Sequence, residues 1–276
     1  MQLDYLALLD SLLLEGIGLL GQPFLLRQTD TVVETQTSEG GFTGRRGGSD
    51  LYYTDFAVRT LTLIAPDHPA LSKVRSYLTR FVDAPPDNLI DRFCFLNLHR
   101  NLSCPVAALP SLNLPTIESA FTSAYDLFLS ALCEQMIGRQ EIDVPANVNE
   151  ILSASEKQTS LIAAATGYRM LRNELSEDQA NEATQRLCTL QGPEGGFMAH
   201  ADTPSPDLLS TFSALTTLCI LGKESNIRLG QTARFLRDCA HREGGFGACP
   251  EDPETDVEYD YYGLGSLGLL NLLARG

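Results

Sequence analysis

The 276-residue sequence has no tryptophan, only four histidines, and 20 basic residues against 35 acidic ones, for a net charge of −15. A chain so short of basic charge repels phosphate backbones and anionic membrane surfaces, which argues against general nucleic-acid binding. A few arginines gathered in a cleft would still act locally against that field. His68, His99, His200 and His241 stand far apart in no pairing pattern, so a histidine-based metal site or triad has no support. The seven cysteines (Cys94, Cys104, Cys133, Cys188, Cys219, Cys239 and Cys249) are odd in number, scattered and free of CxxC pairs. They read as reduced, mostly buried, small apolar residues. Walker, GxGxxG, HExxH, GxSxG and EF-hand patterns are all missing. Asp4, Asp10 and Glu15 interrupt the first leucines and no basic stretch precedes them. That segment is expected to be an amphipathic helix of a cytoplasmic protein, neither a signal peptide nor a membrane span. Asn101-Leu102-Ser103 matches a glycosylation sequon, which a cytoplasmic protein would not use.

What is present is apolar material, 43% of residues, enough for a sizeable core, and an internal repeat. Three segments share a glycine-aromatic turn, a variable loop, an aspartate and an apolar helical run. They are Gly40-Gly41-Phe42 with Asp50 to Leu61, Gly195-Gly196-Phe197 with Asp207 to Leu218, and Gly244-Gly245-Phe246 with Asp256 to Leu267. Phe197 and Phe246 lie 49 positions apart, and the gap from Phe42 to Phe197 is about three such periods. It leaves room for two degenerate copies, for which the runs near Asp87 and near Glu156 are candidates. Gln36 and Gln191 precede their phenylalanines by six residues, whereas Ala240 holds that place in the third copy.

Each unit reads as a helical hairpin. The glycines permit positive backbone angles, the phenylalanine buries against the next unit, and the aspartate caps the helix that follows. More polar segments, Glu177 to Leu190 and Asn226 to Cys239, supply outer helices. The expected fold is all-α, a single α/α toroid over residues 1–276, with five to six hairpins whose inner helices surround a cavity.

The GGF-x-G…D-x-x-x-T-x-x-A-L pattern resembles the repeat of protein prenyltransferase β subunits and of squalene and terpenoid cyclases, over nearly the whole chain. The resemblance implies a toroid whose cavity accepts an isoprenoid diphosphate or a terpenoid lipid. Short bacterial prenyltransferase-like proteins are the nearest in feel. In those transferases one zinc is held by a D-x-C motif and by the histidine of a D-x-Y-H motif. Here Asp207 matches the aspartate, but Leu209 stands for the cysteine and Tyr259 for the histidine. A lone carboxylate does not replace thiolate and imidazole, so no metal is expected, and magnesium only with a bound diphosphate. Class II cyclases use a D-x-D-D-T acid motif. In that register Glu258 is the one candidate proton donor, with Asp256 and Asp207 as further acidic candidates, while a carboxylate in a first helical turn is also favoured by the helix dipole. Asp50, Asp207 and Asp256 equally suit plain N-caps.

In the transferases a G-R element helps hold the diphosphate, which points to Arg45, with Arg46 beside it. Tyr52, Tyr53, Phe212, Tyr259 and Tyr262 fall on candidate inner helices and, with Asp50, complete the expected substrate-binding set; core packing explains any one aromatic equally well. Cyclase repeats characteristically carry tryptophan where Phe42, Phe197 and Phe246 stand, which weighs against cyclisation. The expected function is isoprenoid handling, by zinc-independent prenyl transfer or by cyclisation. The alternative is a non-catalytic toroid that binds lipid or acts as a protein-interaction scaffold. The transferases also pair with a helical α subunit, so such a partner is an open expectation.

Overall fold

The computed structural model describes residues 3–104, 121–138, 144–154, 157–223 and 227–275. Six of its helices form the inner layer: α3 (Leu51–Ile64), α5 (Leu89–Asn101), α6 (Ala124–Met136), α8 (Thr159–Leu171), α10 (Leu208–Leu221) and α12 (Val257–Leu273). Each packs on the next, and α12 packs back on α3, so the layer closes into a ring. Helices α2 (Gln22–Glu34), α4 (Ala70–Leu78), α7 (Val148–Ala154), α9 (Glu177–Thr189) and α11 (Leu229–Cys239) complete the described helices outside that ring, with α1 (Tyr5–Ile17) at one end of it. This is the expected all-α toroid with six inner helices. The intervening copies start at Asn88, Ser123 and Gln158, which cap or precede α5, α6 and α8. The run placed near Asp87 is therefore α5. The one placed near Glu156 opens outside the described residues, as does Asn226, and leads to α8. The copy at Ser123 escaped the glycine-aromatic pattern because it begins instead with a capping box between Ser123 and Asp126.

The repeated turn explains the closure. Gly40, Gly195 and Gly244 adopt positive φ of 95°, 102° and 122°, where a side chain is strained. They also sit on outer-helix backbone. A Cβ at Gly40 would lie 2.5 Å from the Lys73 carbonyl oxygen of α4, and one at Gly195 only 2.1 Å from the Gln231 carbonyl carbon of α11. The third turn docks on the first outer helix, α2. Gly244 abuts Thr31 and Arg27 of α2, and the Gly245 N–H donates to Gln28 Oε1 at 2.9 Å. Phe42, Phe197 and Phe246 are fully buried beside these turns, each worth roughly 1.5–3 kcal/mol of apolar burial.

Helix α1 crosses the end of the ring where the inner helices finish. Gln135, in the last turn of α6, bonds the Tyr5 N–H and the Leu3 carbonyl, and Arg100 of α5 pairs with Asp10 at 2.6 Å. Gly16 meets the backbone of Gly268 in α12. The apolar stripe Leu6, Leu9 and Leu13 is buried, so α1 forms a floor. Among the described residues no helix is long and apolar enough to cross a membrane.

The turn geometry yields a direct test. Gly195→Ala should destabilise the protein by about 3 kcal/mol or more in urea unfolding, since it combines backbone strain with overlap on α11. Gly222→Ala, at φ 62° with open space around it, should cost only about 1 kcal/mol.

Candidate functional site

The inner helices run in register, so equivalent residues form levels along the central axis. Same-level contacts show it: Tyr52 Oη donates to Glu258 Oε1 at 2.8 Å between the second residues of α3 and α12, and Phe56 meets Tyr262 at 5.3 Å between the sixth. The second residues Ile90, Tyr125 and Leu209 are large apolar groups left 43%, 41% and 37% exposed. They rim a mouth at the helix N-termini. Below them a cavity of about 150 Å³ is walled by fifth- and sixth-level side chains such as Phe56, Phe93, Phe128, Phe212 and Tyr262, and α1 floors it with Tyr5, Leu6 and Leu9. A larger depression of about 720 Å³ lies beside the last Gly-Gly turn, but Asp30, Glu34, Asp238, Glu243 and Glu251 line it, which disfavours an anionic ligand. The lumen is the candidate site.

The sequence-predicted residues divide by level. Tyr52, Phe212 and Tyr262 stand in the cavity wall. Tyr53, one residue on from Tyr52, turns away onto Gly44, where a Cβ would come within 2.3 Å of its ring. Asp50, Asp207 and Asp256 are the N-caps of α3, α10 and α12, accepting from the N–H groups of Tyr53, Ser210 and Glu258 at 2.8, 2.7 and 2.9 Å. Burial raises all three carboxyls above the usual aspartate value. Glu258 is held by Tyr52 and is raised by burial, with Asp256 adding to the rise. Arg45 reaches across to the last unit: both terminal nitrogens engage Asp252, one also donates to the Glu254 carbonyl at 3.0 Å, and Nε lies 3.6 Å from Asp256. Its guanidinium sits 5.5 Å from the Tyr259 ring centroid. Arg46 is exposed. The structure thus gathers Arg45, Tyr52, Asp256, Glu258 and Tyr259 at one side of the mouth and leaves Asp50, Asp207 and Arg46 out of that group.

The positions matching the transferase zinc ligands do not suit the metal. The Asp207 carboxylate is engaged by the Ser210 N–H and hydroxyl, Leu209 is apolar, and Tyr259 lies under Arg45. Among the described residues no three His, Cys, Asp or Glu side chains converge on a metal position.

Two lumenal residues were overlooked in the sequence. Asp55 and Arg59, at the fifth and ninth levels of α3, both line the cavity. Asp55 is 1% exposed and accepts from Asn97 Nδ2 at 2.8 Å. Burial pushes its carboxyl up to about 7 against the opposing pull of Arg59 and Asn97. Arg59 donates to Tyr261 Oη at 2.8 Å and stacks 4.0 Å from that ring's centroid. Two charged residues four apart inside an otherwise uncharged helix were the available signal.

A ring of parallel inner helices around a floored apolar lumen defines an α/α toroid with a lumenal ligand site. The prenyltransferase alpha-alpha toroid domain model matches residues 13–85 and 143–275, and the chain belongs to that family. It is 30% identical over 118 residues to the geranylgeranyl transferase type-2 subunit beta of Saccharomyces cerevisiae. That alignment covers 42% of this chain and spans about a third, 35%, of the relative's length. A protein of solved crystal structure from Actinoplanes superposes with TM-score 0.60 at 14% identity, covering 91% of this chain and 99% of that one. A type II terpene cyclase from Scytonema, solved in complex with its substrate geranylgeranyl dihydroxybenzoate, superposes with TM-score 0.54 at 9% identity over 95% of this chain and 99% of its own. At such identities these two show a shared fold.

One repeat position makes a pH prediction. Thr54 and Thr211 accept the N–H of Phe42 and Phe197 at 2.9 Å, and Asp260 takes the same place for Phe246 at 2.8 Å. Burial pushes the Asp260 carboxyl up to about 8, with the Phe246 bond opposing. Between about pH 4, where an unfolded aspartate ionises, and pH 8 the folded chain holds the extra proton. Stability from this group therefore falls as pH rises through that window and levels off above it. Asp260→Thr should raise the melting temperature at pH 8 by at least about 3 °C, and thermal melts should show the gain shrinking toward pH 4.

Proposed function

We propose that this chain handles isoprenoids, holding the apolar end of an isoprenoid diphosphate or terpenoid lipid in the lumen with its head group at the mouth beside Arg45, Asp256 and Glu258. The carrying observation is the apolar cavity, floored by α1 and rimmed by exposed Ile90, Tyr125 and Leu209. Its volume, about 150 Å³, equals that of a cavity that takes benzene. The terminal isoprene unit therefore fits inside, and a longer chain lies across the three rim side chains. An incoming diphosphate competes with Asp252 for Arg45, and magnesium is expected only together with that diphosphate.

The finer reading is chemistry without zinc, as prenyl transfer or as cyclisation begun by Glu258. Burial raises the Glu258 carboxyl, the direction such a step needs, while the Tyr52 hydroxyl fixes the side chain and partly opposes the rise. The alternative is a binding toroid that performs no reaction. Kinship with a transferase beta subunit also supports pairing with a helical subunit.

Calorimetry with farnesyl and geranylgeranyl diphosphates, followed by product analysis, tests these readings. Binding is expected, and Ala163→Phe, which fills the lumen from α8, should weaken it at least tenfold, a loss of about 1.4 kcal/mol. Product lost in Glu258→Gln with binding kept supports acid-initiated cyclisation, and binding without product supports the non-catalytic alternative. Failure of both diphosphates to bind overturns the isoprenoid reading.

A further inference from the structure

The deepest part of the lumen is polar in a way that an apolar chain does not use. At its fifth and ninth levels Asp55 and Arg59 are the two charged residues facing a cavity walled mainly by aromatic and aliphatic groups, with the hydroxyl side chains of Ser160, Ser213, Thr216 and Thr217 also in its lining. Their hydrogen bonding is incomplete. Asp55 Oδ1 accepts from Asn97, but Oδ2 has the Arg59 guanidinium only at 3.7 Å, beyond hydrogen-bond length. Arg59 carries five N–H donors, of which one reaches Tyr261 Oη, and its side chain keeps 15% exposure while lining the cavity. A buried guanidinium and carboxylate held just short of each other are an expensive arrangement in an apolar lumen. A single ligand oxygen about 2.9 Å from each would complete both.

We propose that the lumen selects a compact apolar ligand carrying one neutral hydroxyl, which accepts from Arg59 and donates to Asp55 Oδ2. The hydroxyl fits where other groups do not. A hydrocarbon leaves both partners unsatisfied, and a carboxylate gains Arg59 but meets the charge of Asp55 wherever that group is ionised. This deepens the isoprenoid reading by giving its lumenal end a polar group, and it assigns Asp55 and Arg59 as specificity residues.

Titration calorimetry at about pH 8.5, above the Asp55 value of about 7 so that this carboxyl is ionised, with toluene, p-cresol and 4-methylbenzoate tests the proposal, since the three share a skeleton of the cavity's size. p-Cresol should bind at least tenfold more tightly than toluene, with 4-methylbenzoate weakest. Arg59→Met should abolish the p-cresol advantage while toluene binding persists. Asp55→Asn keeps the shape and an acceptor for Asn97 but leaves Arg59 unopposed, so 4-methylbenzoate should gain at least tenfold. That gain is a charge readout which lost packing cannot mimic, and it serves even where Arg59→Met does not fold. Equal binding of toluene and p-cresol, or no gain for 4-methylbenzoate in Asp55→Asn, overturns the proposal. Its fate separates from that of the isoprenoid reading: hydroxyl preference without prenyl diphosphate binding sinks only the latter, and prenyl binding without hydroxyl preference sinks only the former.

Discussion

A ring of helices leaves no exposed apolar edge only when its last unit docks on its first, and here the backbone of the last glycine turn packs directly on α2. The turn at Gly244 and Gly245 must lie against α2, as the turns at Gly40 and Gly195 lie against α4 and α11. With a side chain at these glycines the turn would stand off from the outer helix, and the phenylalanine two residues on would lose its buried place. Closure in turn holds α12 beside α3. The register of the inner helices, the width of the lumen and the seat of α1 across its end all follow from that juxtaposition.

Register then divides the chemistry by level. Second-level residues meet solvent at the mouth, where Tyr52, Ile90, Tyr125, Leu209 and Glu258 stand. Fifth- and sixth-level residues make the aromatic wall, and Arg59 enters from the ninth. Turn and cap positions are committed to closing the ring, while lumenal positions away from the seam between α3 and α12 vary from unit to unit without disturbing it. A toroid of this kind therefore accepts new chemistry by substitution at the levels facing the lumen. That is why family membership defines the architecture here without defining a reaction.

The architecture was legible because its determinants are local. Two glycines before a phenylalanine announce a turn, and an aspartate ahead of an apolar run announces a cap. Asp50, Asp207 and Asp256 all cap. The copy at Ser123 was not legible, because a serine stands where the clear units have their capping aspartate and no Gly-Gly-Phe triplet precedes it. The site was less legible than the fold, since lumenal facing depends on rotation about each helix axis. Tyr52 faces the cavity and Tyr53 does not, although both are tyrosines in the same turn. Arg45 looked available in its glycine-rich loop, but its ion-pair partner, Asp252, lies 207 residues away in sequence. Asp55 and Arg59 were hidden for the opposite reason: they sit within the apolar run that announced a buried helix.

The polar contacts of the candidate site and the closure of the ring share one seam. Arg45 with Asp252 and Asp256, Tyr52 with Glu258, and Arg59 with Tyr261 all join the first clear unit to the last. Apolar contacts alone hold a helix pair together but tolerate sliding, whereas directional bonds at the second, fifth and ninth levels specify one register between α3 and α12. The groups best placed for chemistry are thus also those that align the ring. A variant that loses both activity and stability at this seam does not show which role it removed. Charge-preserving and shape-preserving replacements, which keep the alignment and change only what a ligand meets, separate the two.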